Sequence, residues 1–161
     1  METPYQIRTA HRDEWEDAMA LAWRTFLQFE AKDYPPEGVR NFERFVSDQT
    51  IYRMFIIGSY HLFVAYAGTK LVGMITLRDA SHISLLFVDE KYHRKGIGSA
   101  LVRYVNDFLV SGSRALRMTV NASPYGVEFY HKLGFRDVRP QEQKDGIIYT
   151  PMEFVLRKDL R

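Results

Sequence analysis

The hydrophobic positions change period along the chain, and these changes divide it into helical and extended segments. Apolar residues recur at three- and four-residue steps over 12–30 and again over 37–48, which predicts two amphipathic helices. Residues 50–58 fit either a third helix or a buried strand. The spacing of Ile51 and Phe55, which places both on one helical face, favours the helix.

Extended segments follow, with alternating or continuous apolar positions bounded by turn residues. Strands are predicted over 5–10, 61–67, 71–77, 82–88 and 114–121, with a closing hairpin of 135–139 and 147–156. The strands between 61 and 88 are joined by short turns and therefore form an antiparallel meander, in which Gly73 marks a possible bulge. A predicted helix ending near residue 110 separates 82–88 from 114–121, so these two strands are expected to be parallel. A last helix is expected over 123–133.

These elements predict the fold class. It is α/β of the α+β type, with a mixed, mostly antiparallel central sheet flanked by helices. The sequence shows no repeat, linker or low-complexity segment. We therefore expect a single domain over residues 1–161.

A basic, glycine-containing loop lies between the strand at 82–88 and the helix that follows it. Arg94 and Lys95 precede Gly96 and Gly98, where the helix begins. A helix start presents unpaired N–H groups and a partial positive charge, and glycine lets the backbone approach an anion closely. The sequence therefore predicts a phosphate or pyrophosphate site at residues 93–99.

Two common phosphate-binding motifs are excluded. The dinucleotide fingerprint requires a third glycine where Leu101 stands, and the P-loop requires a Gly-Lys-Ser/Thr triplet that the chain lacks.

Composition narrows the class of protein further. The 161 residues are 46% hydrophobic, carry a net charge of +2 and include no cysteine. Disulfides, cysteine metal ligands and a cysteine nucleophile are excluded, and a reducing cytoplasmic location is expected. The basic residues are dispersed, which argues against nucleic-acid binding. No apolar run predicts a membrane span or a signal peptide, and the histidine spacing predicts no metal site.

Two motifs resemble the GCN5-related N-acetyltransferases. The loop after the strand matches their acyl-CoA-binding signature, Gln/Arg-x-x-Gly-x-Gly/Ala, with His93 at the Gln/Arg position. Further on, a strand ending in Asn121 leads into a helix with Phe-Tyr-x-x-x-Gly-Phe, in which the tyrosine is Tyr130. Together the motifs span roughly residues 60–157, in the order and spacing of that family.

The resemblance implies a sheet that opens between its two parallel strands and binds acetyl-CoA in the opening. The arm of the cofactor would lie along the first strand, and the loop would bind its pyrophosphate. Asn121 would bond a pantetheine amide, and Ser123 would cap the following helix beside the cofactor. The cofactor-binding residues implied are Leu86, Phe87, Val88, His93, Arg94, Lys95, Gly96, Ile97, Gly98, Ser99, Asn121 and Ser123.

The resemblance also implies catalytic roles. Tyr130 would donate a hydrogen bond to the departing sulfur, and a strand N–H near Val88 would stabilise the oxyanion. Many members carry a glutamate base where this chain has Ser84. His82 is the candidate base on the same strand, and Glu30, Asp33 or a water chain are alternatives.

The expected acceptor is a primary amine of a small molecule or peptide. Substrate choice in this family comes from the first helices and the last hairpin, so the acceptor pocket is expected to include Trp23, Phe26, Phe29, Glu30, Tyr34 and Tyr149. A homodimer through the last strands is possible. The absence of the strand glutamate leaves a second function open, a non-catalytic acyl-CoA-binding regulatory module. The loop alone would also fit an unrelated phosphate-binding domain.

Overall fold

The computed structural model describes residues 5–158, which form five α-helices, eight strands and three short 3-10 helices. The helices are α1 (Trp15–Phe29), α2 (Pro36–Val46), α3 (Gln49–Ile56), α4 (Ile97–Gly112) and α5 (Val127–Leu133). The strands are β1 (Tyr5–Thr9), β2 (His61–Ala67), β3 (Lys70–Arg78), β4 (His82–Val88), β5 (Arg117–Ala122), β6 (Arg136–Asp137), β7 (Glu142–Lys144) and β8 (Ile147–Val155). The helical interpretation of residues 50–58 is confirmed. The short strand β7 is an addition to the prediction.

The strands form one mixed sheet in the order β1-β2-β3-β4-β5-β8-β6, with β7 paired to β8. Neighbouring strands are antiparallel except β4 and β5, which are parallel as predicted. The parallel pair is short, because only His82–Thr119 and Ile83–Val120 are in register. Beyond Ile83 the two strands diverge, which confirms the expected opening of the sheet.

Each face of the sheet carries its own hydrophobic core, because side chains alternate along each strand. On β2, Phe63 and Ala65 join the core beneath α4 and α5, whereas Leu62 and Val64 join the core beneath α1, α2 and α3. Burial of a side chain such as Leu62 stabilises the fold by roughly 1.5–3 kcal/mol.

Two irregularities shape the central strands. Ala65 pairs with Gly73 and Tyr66 with Leu71, which leaves Val72 as an extra residue next to the glycine predicted to mark a bulge. In β4, Thr76 pairs with Leu85 and Leu77 with Ile83, so the register shift leaves Ser84 without a partner across the sheet. Bulges of this kind redirect side chains, and Ser84 faces the cavity described below.

Helix α5 begins later than predicted, and Gly126 rather than Ser123 occupies its N-cap position. The expectation that Ser123 caps the helix directly is therefore wrong. Its carbonyl accepts from the Gly126 and Val127 amides, and its hydroxyl also accepts from the Gly126 amide at 3.1 Å. Because these bonds close a turn first, the helix starts only after it.

Helix α2 meets the β7–β8 turn backbone to backbone. A β-carbon built on Gly38 would collide with the Gly146 carbonyl, and one built on Gly146 would collide with the backbone of residues 37 and 38. Close by, the Asn41 amide donates to the Asp145 carbonyl at 2.6 Å. The first helices and the last hairpin, which are far apart in sequence, thus form one wall.

Within residues 5–158, none of the helices combines the length and apolar character that a bilayer crossing requires. Residues 1–4, part of the segment in which no signal peptide was expected, lie outside the described residues.

Candidate active site

A cavity of about 900 Å³ lies where β4 and β5 diverge. Its walls come from α1, α2, the end of β3, the two diverging strands, the loop before α4 with the start of that helix, and the turn before α5 with α5 itself. Most residues predicted for the site line it: Phe26, Glu30, Tyr34, His82, Leu86, Phe87, Val88, His93, Arg94, Gly96, Ile97, Gly98, Ser99, Asn121, Ser123 and Tyr130.

Two predicted site residues do not line the cavity. Trp23 stacks on Phe26 and Phe42, with ring centroids 6.1 and 6.3 Å apart, in the core behind the wall. Lys95 points toward the Tyr92 ring, with its Nζ 6.0 Å from the centroid. Tyr149, a further candidate, lines a smaller adjoining pocket.

The loop before α4 presents backbone donors to the cavity. Arg94 and Gly96 adopt left-handed conformations, with φ of 62° and 80°, and Gly96 is the N-cap of α4. Within the described part of the chain, the backbone amides from Arg94 to Ser99 donate no hydrogen bond. Free amides at a helix start, next to a cation such as Arg94, bind an anion such as a diphosphate.

His93 attaches this loop to the end of β4. Its Nε2 lies 2.7 Å from the Val88 carbonyl oxygen, which makes the imidazole a donor in the tautomer that carries the proton there. Its ring also lies 4.9 Å from that of Phe29. The structure therefore gives His93 a bond to the strand that precedes the loop.

The end of α1 spans the opening above the diverging strands. Gln28 donates to Glu90 at 2.8 Å, just before the loop, and Phe29 contacts His93 on one side and Tyr125, at 5.4 Å, on the other. The next residue along the chain is Glu30. Its position is thus fixed relative to both sides of the cleft.

Glu30 is the acidic group on the α1 side of this cavity. Burial raises the pKa of its carboxyl to about 7, the Ser123 hydroxyl acts in the opposite direction, and Asp33 adds to the rise. The carboxyl therefore titrates close to neutral pH, as a general base requires.

Tyr130 is 6% exposed, and its side chain lines the same cavity. Burial raises the pKa of its phenol strongly, and the charge of Glu30, which lines the same cavity, raises it further. No residue between 5 and 158 forms a hydrogen bond with the Tyr130 hydroxyl. The hydroxyl is therefore a protonated donor available to a bound molecule.

His82 lies at the start of β4. Burial lowers the pKa of its imidazole to about 4, and the Arg78 charge lowers it further. Its Nδ1 is 2.7 Å from the Thr119 hydroxyl, across the parallel pair. The imidazole is consequently neutral at physiological pH and tied to β5.

Sequence reasoning did not identify two of the polar groups that line the cavity. Arg78 ends β3 and faces the cavity, although nothing in its neighbourhood in the sequence distinguishes it from a solvated charge. Ser84 was noted only for the glutamate that it replaces. Its hydroxyl bonds to Tyr60, which lies 24 residues earlier in the chain.

Comparison with known proteins agrees with this geometry. The family model described as the acetyltransferase (GNAT) domain matches residues 30–156. An uncharacterized N-acetyltransferase of Escherichia coli (strain K12), YafP, is 27% identical over 136 residues, which cover 84% of each chain.

Solved structures show the same fold. A GCN5-related N-acetyltransferase from Rhodopseudomonas palustris is 23% identical, with a TM-score of 0.82 over 97% of this chain and 98% of the other. The PaiA N-acetyltransferase from Thermoplasma acidophilum, solved in complex with coenzyme A, is 21% identical, with a TM-score of 0.74 over 96% of this chain and 99% of the other.

Because the domain model covers residues 30–156, it includes Glu30, the two diverging strands, the loop before α4 and Tyr130, whereas α1 ends just before it. The chain belongs to the GNAT family of acetyltransferases, enzymes that use acetyl-CoA as the acetyl donor.

Proposed function

We propose that this protein transfers the acetyl group of acetyl-CoA to a primary amine of a small molecule or peptide, with Glu30 as general base and Tyr130 as hydrogen-bond donor to the leaving sulfur. The observation that carries the proposal is the convergence of Glu30 and Tyr130 in one cavity, where the charge of Glu30 acts on the tyrosine hydroxyl. An N-acetyltransfer needs both groups in one place, because the amine loses a proton while the thiolate gains a partner.

The residues present fit the cofactor. The unpaired amides from Arg94 to Ser99 suit a diphosphate, and the part of β4 beyond Ile83 has an edge unpaired by β5 that can bond the amide groups of a pantetheine arm. Acetyl-CoA supplies an activated thioester. Leu86, Phe87 and Val88 would lie along its arm, and a backbone N–H near Val88 would stabilise the carbonyl oxygen as charge develops.

Tyr130 acts as a donor rather than as an acid. A thiol has a pKa near 8.5 and a phenol near 10, so full proton transfer to sulfur costs about 2 kcal/mol even for an ordinary tyrosine. The raised pKa of Tyr130 increases that cost. A hydrogen bond to the sulfur carries no such penalty and still stabilises the leaving thiolate.

The choice between Glu30 and His82 as base rests on proton affinity. Deprotonation of an alkylammonium of pKa near 10.4 by a group of pKa about 7 costs about 5 kcal/mol, whereas a group of pKa about 4 raises the cost to about 9 kcal/mol. His82 is therefore the weaker base. We therefore assign Glu30 as the group that accepts the proton of the amine, either by direct contact or through a bridging water.

Proton uptake at Glu30 also assists Tyr130. Part of the rise in the pKa of Tyr130 comes from the Glu30 charge. Neutralisation of Glu30 by the proton of the amine removes that contribution and makes the phenol a better donor as the sulfur departs. The two groups thus act in sequence within one reaction.

A second candidate is a non-catalytic acyl-CoA-binding module. The observation that favours it is Ser84, a residue that cannot act as a base unaided, at the position of the family glutamate. Under this alternative the cofactor would bind tightly but no amine would be acetylated.

Acetyl transfer and cofactor binding are measured separately to test the proposal. Purified protein with acetyl-CoA and a panel of primary amines should release free thiol in proportion to acetylated amine, identified by mass spectrometry. Calorimetry should show that CoA binds more tightly than ATP or NAD. Tight CoA binding without transfer to any amine would favour the regulatory module, and equal binding of all three nucleotides would contradict a CoA site.

A further inference from the structure

Three hydroxyl groups form a chain from the core to the cavity. The Tyr60 hydroxyl lies 2.8 Å from Thr76 Oγ1 and 3.1 Å from Ser84 Oγ. Thr76 is fully buried and Tyr60 is 2% exposed, whereas Ser84 lies on the bulge of β4 and lines the cavity. This row of hydrogen-bonded hydroxyls therefore has one end in the core, at Thr76, and one end at the cavity, at Ser84.

A buried hydroxyl needs an acceptor for its proton, and this requirement favours one direction for the hydrogen bonds between the three hydroxyls. The single Tyr60 proton can serve Thr76 or Ser84, but not both. Among residues 5–158, Tyr60 is the only hydrogen-bond partner of the Thr76 hydroxyl. If Tyr60 donated to Thr76, the Thr76 proton would be buried without an acceptor, which is costly. Each of these hydroxyls can rotate, and the arrangement in which Thr76 donates to Tyr60 and Tyr60 to Ser84 satisfies both buried donors and keeps the Ser84 proton for a molecule in the cavity.

A cation lies at the same end of the cavity. Burial raises the pKa of Tyr60, and the Arg78 guanidinium works against that rise, so its charge lies near this hydroxyl chain. The ion pair of Arg78 with its neighbour Asp79 is long, at 3.6 Å, and both side chains are exposed. Such a pair leaves the guanidinium available to a ligand.

The cavity thus has two poles. Glu30, from α1, is an acid that can accept the proton of an amine, and Arg78 with Ser84, from β3 and β4, provides donors that suit an anionic oxygen. Phe26 and Phe42 line the same cavity with apolar surface. Of the other acids, Glu128 on α5 also lines this cavity, whereas Glu37 and Asp145 line the adjoining pocket, which Arg78 borders as well.

Building on the proposed function, we propose that Arg78 and Ser84 bind a carboxylate of the acceptor, so that the acceptor is an amino carboxylate rather than an amine without an acidic group. A planar guanidinium and a hydroxyl donor match the two oxygens of a carboxylate. Tyr60 is a positioning residue, since it orients the Ser84 proton.

Matched pairs of amines test this inference. Phenylalanine is compared with 2-phenylethylamine, and leucine with 3-methylbutylamine, because each pair differs only in the carboxylate. We expect kcat/KM to be at least roughly tenfold higher for the amino acid of each pair, as for one charge-assisted hydrogen bond. The dipeptide Phe-Gly, whose carboxylate lies further from the amine, distinguishes a free amino acid from the terminus of a peptide.

Variants then assign the preference to the proposed residues. Arg78→Gln should abolish the preference, because it should raise KM for the amino acids at least tenfold more than KM for the carboxylate-free amines. Ser84→Ala and Tyr60→Phe should reduce the preference in the same direction, and their effects should not add because they act on one proton. Arg53→Gln, an exposed residue on α3, is the matched control.

The outcomes separate this inference from the proposed function. Equal or better use of the carboxylate-free amines by wild-type protein would overturn the inference and leave acetyl transfer intact. An equal fall of kcat for both members of a pair in Ser84→Ala would instead assign Ser84 to the thioester and also overturn it. Should no amine be acetylated, the proposed function fails. The inference is then decided by whether phenylalanine, but not 2-phenylethylamine, stabilises the CoA-bound protein against thermal unfolding in an Arg78-dependent manner.

Discussion

The ring of Phe129 lies directly against Gly98. A β-carbon built on this glycine would lie 3.1 Å from the Cε1 and Cζ atoms of Phe129, closer than most β-carbon contacts. Phe129 precedes Tyr130, and their rings lie 5.1 Å apart. The second loop glycine therefore serves the approach of α5 to α4, in addition to any role in anion binding.

The two loop glycines should consequently respond differently to alanine. Gly96→Ala meets no neighbouring atom but must adopt a φ of 80°, which costs roughly 1–2 kcal/mol and should lower the unfolding free energy and weaken CoA binding. Gly98→Ala should displace Phe129 and lower kcat, and Phe129→Leu in the same protein should restore part of it. Urea unfolding and steady-state kinetics measure these effects. Equal behaviour of the two alanine variants would contradict the assignment.

Replacement of the proposed base should remove the acid limb of the activity profile. Because Glu30 must be ionised and the pKa of its carboxyl is about 7, kcat should fall as the pH drops below about 7. Glu30→Gln should lower kcat by about 100- to 10,000-fold and should flatten this limb. Stopped-flow or free-thiol kinetics from pH 5.5 to 9 measure it, with Glu43→Gln on the exposed face of α2 as control.

The same residue should affect stability, with a defined sign. The folded-state pKa of Glu30 is raised above 4.5, so the folded protein binds more protons than the unfolded chain between pH 4.5 and about 7. Stability should therefore decline as pH rises through this window, by at most ~3 kcal/mol. Glu30→Gln should remove this decline and be the more stable protein at pH 8. A wild-type stability that is flat across the window would contradict the raised pKa.

Loss of the Tyr130 hydroxyl should separate catalysis from binding. Tyr130→Phe deletes an oxygen that bonds to none of the described residues, so stability and CoA affinity should change little. The kcat should fall by about 10- to 1,000-fold, because the leaving sulfur loses its donor. Calorimetry and kinetics are compared with those of Tyr104→Phe, a ring on α4 that does not line the cavity. Parallel losses of binding and kcat would refute the assigned role.

A second carboxylate should stabilise the fold at neutral pH. Both oxygens of Glu14 accept from Arg8 at 2.8 Å, and Tyr66 donates to one of them at 2.6 Å. The hydrogen bonds from Arg8 lower the pKa of Glu14 to about 2 against the opposing effect of burial. The stabilisation is present above pH 4.5 and is lost as pH falls toward 2.

Glu14→Gln should therefore lower the unfolding free energy by ~1–3 kcal/mol at pH 7 and by much less at pH 2.5. Chemical unfolding at the two pH values measures the difference. An equal loss at both would show that the carboxylate charge does not carry the stabilisation.

The periodicity of apolar residues was sufficient for most of the elements, and the helix between β4 and β5 was sufficient for their parallel pairing, but β7 and the start of α5 were not predicted. It could not reveal the environment of Glu30, since Ser123 and Tyr130, which influence or are influenced by that carboxyl, lie about a hundred residues away. An acidic residue at a helix end has the same sequence context whether its carboxyl faces solvent or is buried by other segments of the fold.

Predictions from local sequence were wrong where a side chain had more than one possible hydrogen bond or packing position. Ser123 has the composition of an N-cap, yet its hydrogen bonds close a turn before α5 begins. Trp23 shares the helical spacing of Phe26, but only Phe26 lines the cavity, because the Trp23 ring stacks behind those of Phe26 and Phe42. Such distinctions depend on packing between segments distant in sequence.

The contact between Gly38 and Gly146 holds α2 against the β7–β8 turn, next to residues that line the smaller pocket adjoining the cavity. Each residue lacks a side chain where the two segments touch, so any larger residue at either position must push the β7–β8 turn outward. Under the proposed function, such a change would reshape the wall of that pocket without replacing Glu30 or Tyr130. We therefore expect substitutions at these two positions to change which amines fit, if the acceptor extends into that pocket.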